Sequence, residues 1–361
     1  MLSRRSFLRQ SALASTALVL PYACLGSQQP KKKLGVALVG LGYYSTDLLA
    51  PALQLTDNCY LAGIVTGTPS KIPLWQRKYD IPDKNVYNYG NFEKMADNPD
   101  IDVVYIVLPT SMHCEYSVRA ANIGKHVWCE KPMARTVEEC QQIIKACQKN
   151  KVKLSIGYRM HHEPNTQTIM EYAESKPFGE QVSIKAAAGY LDGRSRHWKF
   201  EKKMGGGAMY DMGVYPLNAI RYASGMEPTS VISASHSTTR PEIYKEVDET
   251  TQFVLGFATG LQAEGKTSLG MGMNDLRVDC KKGWYGLQPF QSYNGVQGQC
   301  SDGTLLNKTI DNQQARQMDN DAMAILKDRP VLVPGEEGMR DIRIVEAIYQ
   351  SAREGRQIDL T

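Results

Sequence analysis

Three residues have the types and spacing needed to move a proton at an alcohol. Asp211 and Tyr215 stand four apart in Gly205-Gly206-Gly207-Ala208-Met209-Tyr210-Asp211-Met212-Gly213-Val214-Tyr215, so on a helix they share one face. Lys131 lies in Glu130-Lys131-Pro132, where the proline biases it toward an extended backbone and lets its side chain project from a strand end. Oxidising an alcohol carbon by hydride loss requires a group that takes the hydroxyl proton. A phenol, with an ordinary pKa of about 10, is a weak base near neutrality unless a cation stands beside it. Lys131 can supply that charge to Tyr215, and Asp211, near a helix start, can orient the lysine or the substrate hydroxyl. Each residue also has an ordinary alternative: a solvated lysine, a helix-capping aspartate, a core tyrosine.

A second constellation points to a dinucleotide. Gly40-Leu41-Gly42-Tyr43-Tyr44-Ser45 follows the apolar run Leu34 to Val39 and precedes a helical stretch. Glycines there allow a tight turn and let backbone N–H groups approach a pyrophosphate. The third small position is Ser45, where Gly or Ala is usual. At the end of the second strand, Val65-Thr66-Gly67-Thr68-Pro69-Ser70-Lys71 offers no carboxylate for a ribose 2′-hydroxyl. Thr66, Ser70 and Lys71 suit a 2′-phosphate instead, so NADP is expected ahead of NAD. The alternative for Ser70 and Lys71 is that they cap and solvate the next helix.

The elements that must position these groups are readable as pattern. Apolar runs at 34–39, 60–65, 103–108 and 126–129 alternate with helical stretches such as 111–123 and 137–150, which predicts a doubly wound parallel sheet. From Gln181 onward, strand-like segments at 182–189, 231–237, 251–257 and 261–267 predict an open, largely antiparallel sheet. The expected fold is therefore α/β: a Rossmann dinucleotide-binding domain over 34–155, then an α+β substrate-binding and oligomerisation domain over 156–361. The last helix, with Ile342, Val345, Ile348 and Tyr349 at helical spacing, is expected to pack back on the first domain.

Composition limits the partners. The chain has 361 residues, 42% hydrophobic and 22% charged, which suits two globular domains. Residues 1–26 hold three arginines and no acid, so without them the formal charge of +4 falls to +1, too little to attract nucleic acid. Cys59, Cys114, Cys129, Cys140, Cys147, Cys280 and Cys300 show no zinc-like spacing and read as buried thiols, with no metal expected. Arg4-Arg5-Ser6-Phe7-Leu8, followed by a short apolar run, resembles a twin-arginine export signal ending near Ala23 or Gly26, with 27–33 as connector. The apolar run is too short to span a bilayer. A periplasmic or otherwise exported protein without stable membrane insertion is expected, with a lipid anchor at Cys24 as the alternative.

From Leu34 onward the chain resembles the Gfo/Idh/MocA oxidoreductases, and within them the glucose-fructose oxidoreductase branch. The resemblance rests on Gly40-Leu41-Gly42, Gly124-Lys125-His126-Val127 leading into Glu130-Lys131-Pro132-Met133-Ala134, the block from Gly205 to Arg221, and Pro334 to Asp341. It implies a sugar site lined by Lys131, Asp211 and Tyr215. It also implies cofactor contacts from Tyr43, Tyr44, Pro109, Thr110, His113, Glu130, Lys131 and Arg159, with Trp198 reaching over the nicotinamide, and a dimer or tetramer packed through the large sheets. Tyrosine at 215, where many relatives have histidine, points to the named branch. That branch implies a held NADP cycled between two sugars in ping-pong fashion. Two other functions fit the wider resemblance: an NAD-dependent redox glycosidase and a non-catalytic sugar or dinucleotide sensor. The segments 191–202 and 281–299 carry generic aromatics and hydroxyl binders, which select no particular sugar.

Overall fold

The computed structural model describes residues 31–360; the arginine-rich segment, Cys24 and most of the connector lie outside the described residues. The apolar runs form β1 (Leu34–Val39), β2 (Cys59–Val65), β3 (Val86–Tyr87), β4 (Val103–Ile106), β5 (His126–Cys129) and β6 (Leu154–Ile156). They build one sheet in the order β3-β2-β1-β4-β5-β6 with every neighbouring pair parallel. Helices α1 (Ala50–Ala52), α2 (Ile72–Tyr79), α3 (His113–Asn122) and α4 (Val137–Lys149) run between the strands. All six residues of β1 are buried, as a central parallel strand covered on both faces requires. Register aligns Val39 with Val65 and with Ile106, and Ile106 with Cys129. The glycine turn, Thr66, Pro109 and Glu130 therefore emerge along one edge, the carboxyl edge where open parallel sheets bind ligands.

After α5 (Pro164–Ser175), the chain builds its second sheet from β7 (Gln181–Leu191), β8 (Ser230–Ser237), β9 (Thr250–Gly256), β10 (Gln262–Ser268), β11 (Gly270–Cys280), β12 (Gly283–Leu287), β13 (Gly298–Cys300), β14 (Leu305–Leu306) and β15 (Ile358–Asp359). Their order is β14-β13-β12-β11-β7-β10-β9-β8-β15, antiparallel throughout except for the β7–β10 pair. Along β7, buried Ile184, Ala186 and Ala188 alternate with less buried Ser183, Lys185 and Ala187. One face meets the helix α6 (Val214–Ser224), and the other is open. The helix predicted after the triple glycine begins with one wide π-turn, Met209–Gly213, before α6.

The chain then returns to the first sheet. In α7 (Gln313–Leu326), Ala315, Met318 and Ala322 join a core with Val36, Leu38, Leu61 and Ile64. The Asp319 carboxylate accepts from the N–H groups of Asp57 (3.0 Å) and Asn58 (2.7 Å), fastening α7 to the turn before β2. The last helix, α8 (Gly335–Glu354), bridges both sheets: Gly338 lies against Met133 and Ile156, Glu346 accepts from the Val137 N–H at 3.0 Å, and the far face covers β8. Among the described residues no helix is long and apolar enough to cross a membrane. The seven described cysteines are free, and all but Cys280 are buried.

Asp321 on α7 is 1% exposed and faces Ser155 and Gln317, with no cation to neutralise it. Burial pushes its carboxyl up to about 7. An acid whose folded pKa exceeds its unfolded value binds more protons when folded, so stability falls as pH rises from the ordinary value of about 4 through the folded one. Asp321→Asn is expected to flatten that decline, leaving the variant more stable at pH 8 by up to about 4 kcal/mol. Denaturant melts of both proteins across this range check it, and parallel curves would show Asp321 ionised without penalty.

Candidate active site

The first wall is the glycine turn. Gly40 has φ of +91° and donates its N–H to the Val65 carbonyl at 3.0 Å; a Cβ there would stand 2.4 Å from the Val107 oxygen. Only glycine fits that position. The Ser45 hydroxyl, fully buried, donates to the Gly40 carbonyl at 2.5 Å, which explains why serine serves at the third position of the motif. A Cβ at Gly42 would meet no atom of the protein within 4 Å, so the space above it belongs to the cleft, and a pyrophosphate fits where a side chain would intrude. Tyr43 is largely exposed at the rim, and Tyr44 faces the ring of Tyr293 at 6.0 Å between centroids.

At the end of β2, Thr66 accepts from the Thr68 N–H at 3.0 Å, and the Lys71 ammonium donates to the Leu41 carbonyl at 2.5 Å. Lys71 thus ties the β2 turn to the glycine turn, and Thr66, Thr68 and Lys71 all line the cleft. Ser70 does not. It lies exposed in the 3-10 turn Pro69–Lys71 outside the cleft, which corrects its expected place at the 2′-position.

The second wall comes from the ends of β4 and β5. His113, 1% exposed, sits with its two ring nitrogens 2.8 Å from the carbonyls of Leu108 and Pro132, bracing the Pro109–Thr110 turn against the Lys131–Pro132 segment. Burial keeps its pKa below the usual histidine value, although both carbonyls pull the other way. Glu130 accepts from the Tyr105 hydroxyl at 2.7 Å and the Lys131 N–H at 3.2 Å, and burial raises its carboxyl above the ordinary range. The peptide between Lys131 and Pro132 is cis.

The third wall holds the other predicted groups. Asp248 anchors it: one carboxylate oxygen accepts from the Met209 N–H at 2.9 Å and the Thr251 hydroxyl at 2.6 Å, the other from Tyr349 on α8 at 2.7 Å. This caps the helix start, and Gly207, with φ of +108°, leaves room for it because a Cβ would stand 2.3 Å from Asp248. Asp211 and Tyr215 then face the cleft together, as their spacing predicts. Lys131 reaches both residues, meeting Asp211 through its main chain and not its carboxylate. The Lys131 ammonium donates to the main-chain carbonyl of Asp211 at 3.0 Å and lies over the Tyr215 ring, 4.5 Å from its centroid. Burial alone would lower the Lys131 pKa, but Tyr215, Asp211 and Glu130 raise it further, so the cation persists.

The Asp211 carboxylate pairs with another cation. Lys199 approaches its two oxygens at 2.7 and 2.8 Å, and the Tyr190 hydroxyl donates to it at 3.0 Å. Burial works against ionisation, yet Lys199 and Lys131 hold the Asp211 pKa below its ordinary value. Burial together with Asp211 and Asp192 holds the Tyr190 phenol far above the usual range, so Tyr190 acts as a donor and not as a base.

Arg159 is the second correction. It is 1% exposed and stands behind the cleft, bound to the carbonyls of Gln291 and Ser292 and the amide oxygen of Gln313, with Tyr215 and Tyr293 across its face. It braces the wall and does not line it. Trp198 does line the cleft, beside His197, as do Gln291, Ser292 and Tyr293 from the long loop after β12. Lys199, Tyr190, Asp248 and Tyr293 were not anticipated from sequence. Only the aromatic content of 191–202 and 281–299 hinted at two of those segments.

The three walls enclose one cleft of about 930 Å³ in which the glycine turn, Lys131, Asp211 and Tyr215 share a common space. Residues 34–158 match the oxidoreductase family with an NAD-binding Rossmann fold, 166–286 a GFO/IDH/MocA C-terminal domain, and 289–360 the oxidoreductase family's C-terminal alpha/beta domain. A crystal structure of aldose-aldose oxidoreductase from Caulobacter crescentus, complexed with glycerol, is 37% identical with a TM-score of 0.87, covering 91% of this chain and 100% of that one. D-xylose 1-dehydrogenase [NADP(+)] of Haloarcula marismortui is 26% identical over 328 residues, 88% of this chain and 90% of the relative. A levoglucosan dehydrogenase in complex with NADH and levoglucosan shares the fold, with a TM-score of 0.79 at 20% identity over 91% of this chain and 99% of that one. Together with the parallel sheet, the mixed sheet and the cleft between them, these matches make the chain a member of the Gfo/Idh/MocA oxidoreductase family.

Proposed function

We propose that this protein is an exported, NADP-dependent sugar oxidoreductase that holds its cofactor and recycles it with a second sugar. The observation that carries the reading is the single cleft joining a glycine turn shaped for a pyrophosphate to Lys131, Asp211 and Tyr215. The aldose-aldose oxidoreductase and the NADP-dependent xylose dehydrogenase, both similar over nearly the whole chain, support a pyranose or related polyol as substrate.

The cofactor, when bound, supplies a nicotinamide that accepts or returns a hydride. Gly40, Gly42 and the adjoining backbone would hold its pyrophosphate, with Tyr43, Tyr44, Pro109, Thr110, His113, Glu130 and Trp198 around the remainder. Thr66, Thr68 and Lys71, with no carboxylate among them, favour a 2′-phosphate and hence NADP over NAD. In sugar oxidation Tyr215 takes the proton of the reacting hydroxyl. Lys131 on its ring face stabilises the negative charge that develops there. The Asp211 carbonyl keeps Lys131 in place. Export rests on the resemblance of Arg4-Arg5-Ser6-Phe7-Leu8 to a twin-arginine signal, and the open face of the second sheet supports a homo-oligomer.

Denaturing the purified protein and identifying the released nucleotide by mass and absorbance tests this reading, with an aldose added beforehand to half of the sample. NADP that becomes reduced on aldose addition is expected. NAD left unchanged while an added glycoside loses its aglycone would replace the reading with a redox glycosidase, and an empty site that ignores sugars would overturn it.

A further inference from the structure

The ion pair between Lys199 and Asp211 is more than neutralisation of a buried acid. Its side chains are 21% and 11% exposed, both line the cleft, and the open side of the pair faces the same space as Tyr215 and Lys131. Lys199 is brought there by the backbone. Its carbonyl accepts the Gly207 N–H at 2.8 Å, and a Cβ at Gly206 would stand 2.3 Å from the same oxygen. The glycine block therefore lets the loop carrying Lys199 close directly onto the helix start carrying Asp211. Tyr190 completes the arrangement, donating to Asp211 at 3.0 Å and lying 3.3 Å from the Lys199 ammonium. Lys131 takes the main-chain oxygen of Asp211, so the carboxylate is left to Lys199 and Tyr190.

A carboxylate beside an ammonium presents an acceptor and a donor at neighbouring points. Two adjacent hydroxyls of a sugar satisfy both at once, one donating to the carboxylate and its neighbour accepting from the ammonium. Such charge-assisted bonds are strong where water is largely excluded. A site built around them rejects an analogue lacking either hydroxyl, because a charged group then loses a hydrogen bond that the missing hydroxyl would have made and that excluded water does not replace. We propose that Lys199, paired with Asp211, is a specificity-determining residue that clamps a vicinal diol, so that the substrate must carry a free hydroxyl next to the carbon being oxidised. This deepens the sugar oxidoreductase reading and rests on it.

The test measures kcat/KM for D-glucose and each of its monodeoxy analogues with wild type, Lys199→Met and Lys199→Arg, alongside sugar affinity from the change in tryptophan fluorescence. Wild type is expected to lose about 100-fold or more at one deoxy position besides that of the oxidised carbon, whose own deoxy analogue cannot react with any variant. Lys199→Met should lose about as much on glucose itself while that position-specific penalty shrinks to within about fivefold, and Lys199→Arg should keep much of the penalty. A purely structural lysine would lower activity on all sugars alike. A uniform loss, or a wild type indifferent to every deoxy position except that of the oxidised carbon, would overturn the clamp and leave sugar oxidation standing. Position-specific binding without turnover would support the clamp and overturn the oxidoreductase reading.

Discussion

Tyr215→Phe is expected to bind nucleotide as wild type does and to lose 100-fold to 10,000-fold in the hydride-transfer step, about the range that a positioned acid–base group contributes. The size of the loss follows from the lack of a substitute among the phenols around it. Tyr190 is the other phenol beside Asp211, but burial and two carboxylates keep its proton on. Tyr44 and Tyr293 are likewise pushed up, burial being the largest cause in each. The change removes one oxygen and keeps the ring, so Lys131 and Arg159 keep their aromatic neighbour and the wall stays packed. Single-turnover reduction of the bound nicotinamide by an aldose reads the step directly. A rate equal to wild type would take the proton-transfer role away from Tyr215.

The largest effect on stability is expected at Arg221. This buried guanidinium bonds Asp341 at 2.6 Å, Glu337 at 2.7 Å and Glu227 at 2.7 Å, and Asp341 is itself fully buried. Removing one partner of a buried ion network leaves the others uncompensated, which costs about 3–5 kcal/mol. Arg221→Met should lose stability on that scale. Burial already pushes the Asp341 carboxyl up to about 6, against the pull of Arg221. With folded pKa above unfolded pKa, the acid weakens the fold as pH climbs from about 4 through that value, and without Arg221 the effect deepens. Denaturant melts of Arg221→Met should therefore show a larger loss near pH 8 than near pH 5. An equal loss at both would mean that removing Arg221 leaves the Asp341 pKa where it was.

Arg221 also shows why some of the molecule was legible in the sequence. The block ending at Arg221 and the stretch Pro334 to Asp341 stood out as separate motifs, and the structure joins them through this one network. The same holds for the turn at Gly40, the segment at Lys131 and the helix with Asp211 and Tyr215. In each, the chemistry follows from a few consecutive residues and the element that carries them. What sequence reasoning missed depends on contacts between distant segments. Lys199 reaches Asp211 only because Gly206 and Gly207 admit its backbone, and Asp248 caps a helix that begins some 40 residues earlier in the chain. Arg159 is expected as a cofactor contact only by the family resemblance; the loop carrying Tyr293, which shuts it behind the wall, leaves no such signal in the sequence. Ser70 and Lys71 are adjacent in sequence, yet the 3-10 turn brings only Lys71 to the cleft.

The return of α7 to the first sheet also sets the order in which the protein can be finished. Leu38, Ile64 and their neighbours on one face of that sheet share a core with Ala315, Met318 and Ala322, near the end of the chain. During synthesis the nucleotide-binding half emerges first, but its apolar surface stays uncovered until almost all of the second half has followed. Such long-range closure is slow and holds sticky surface in reach of other chains. The two halves are therefore separate in pattern and site, yet a single unit in assembly, and the cofactor cleft takes its final form only when the last two helices arrive.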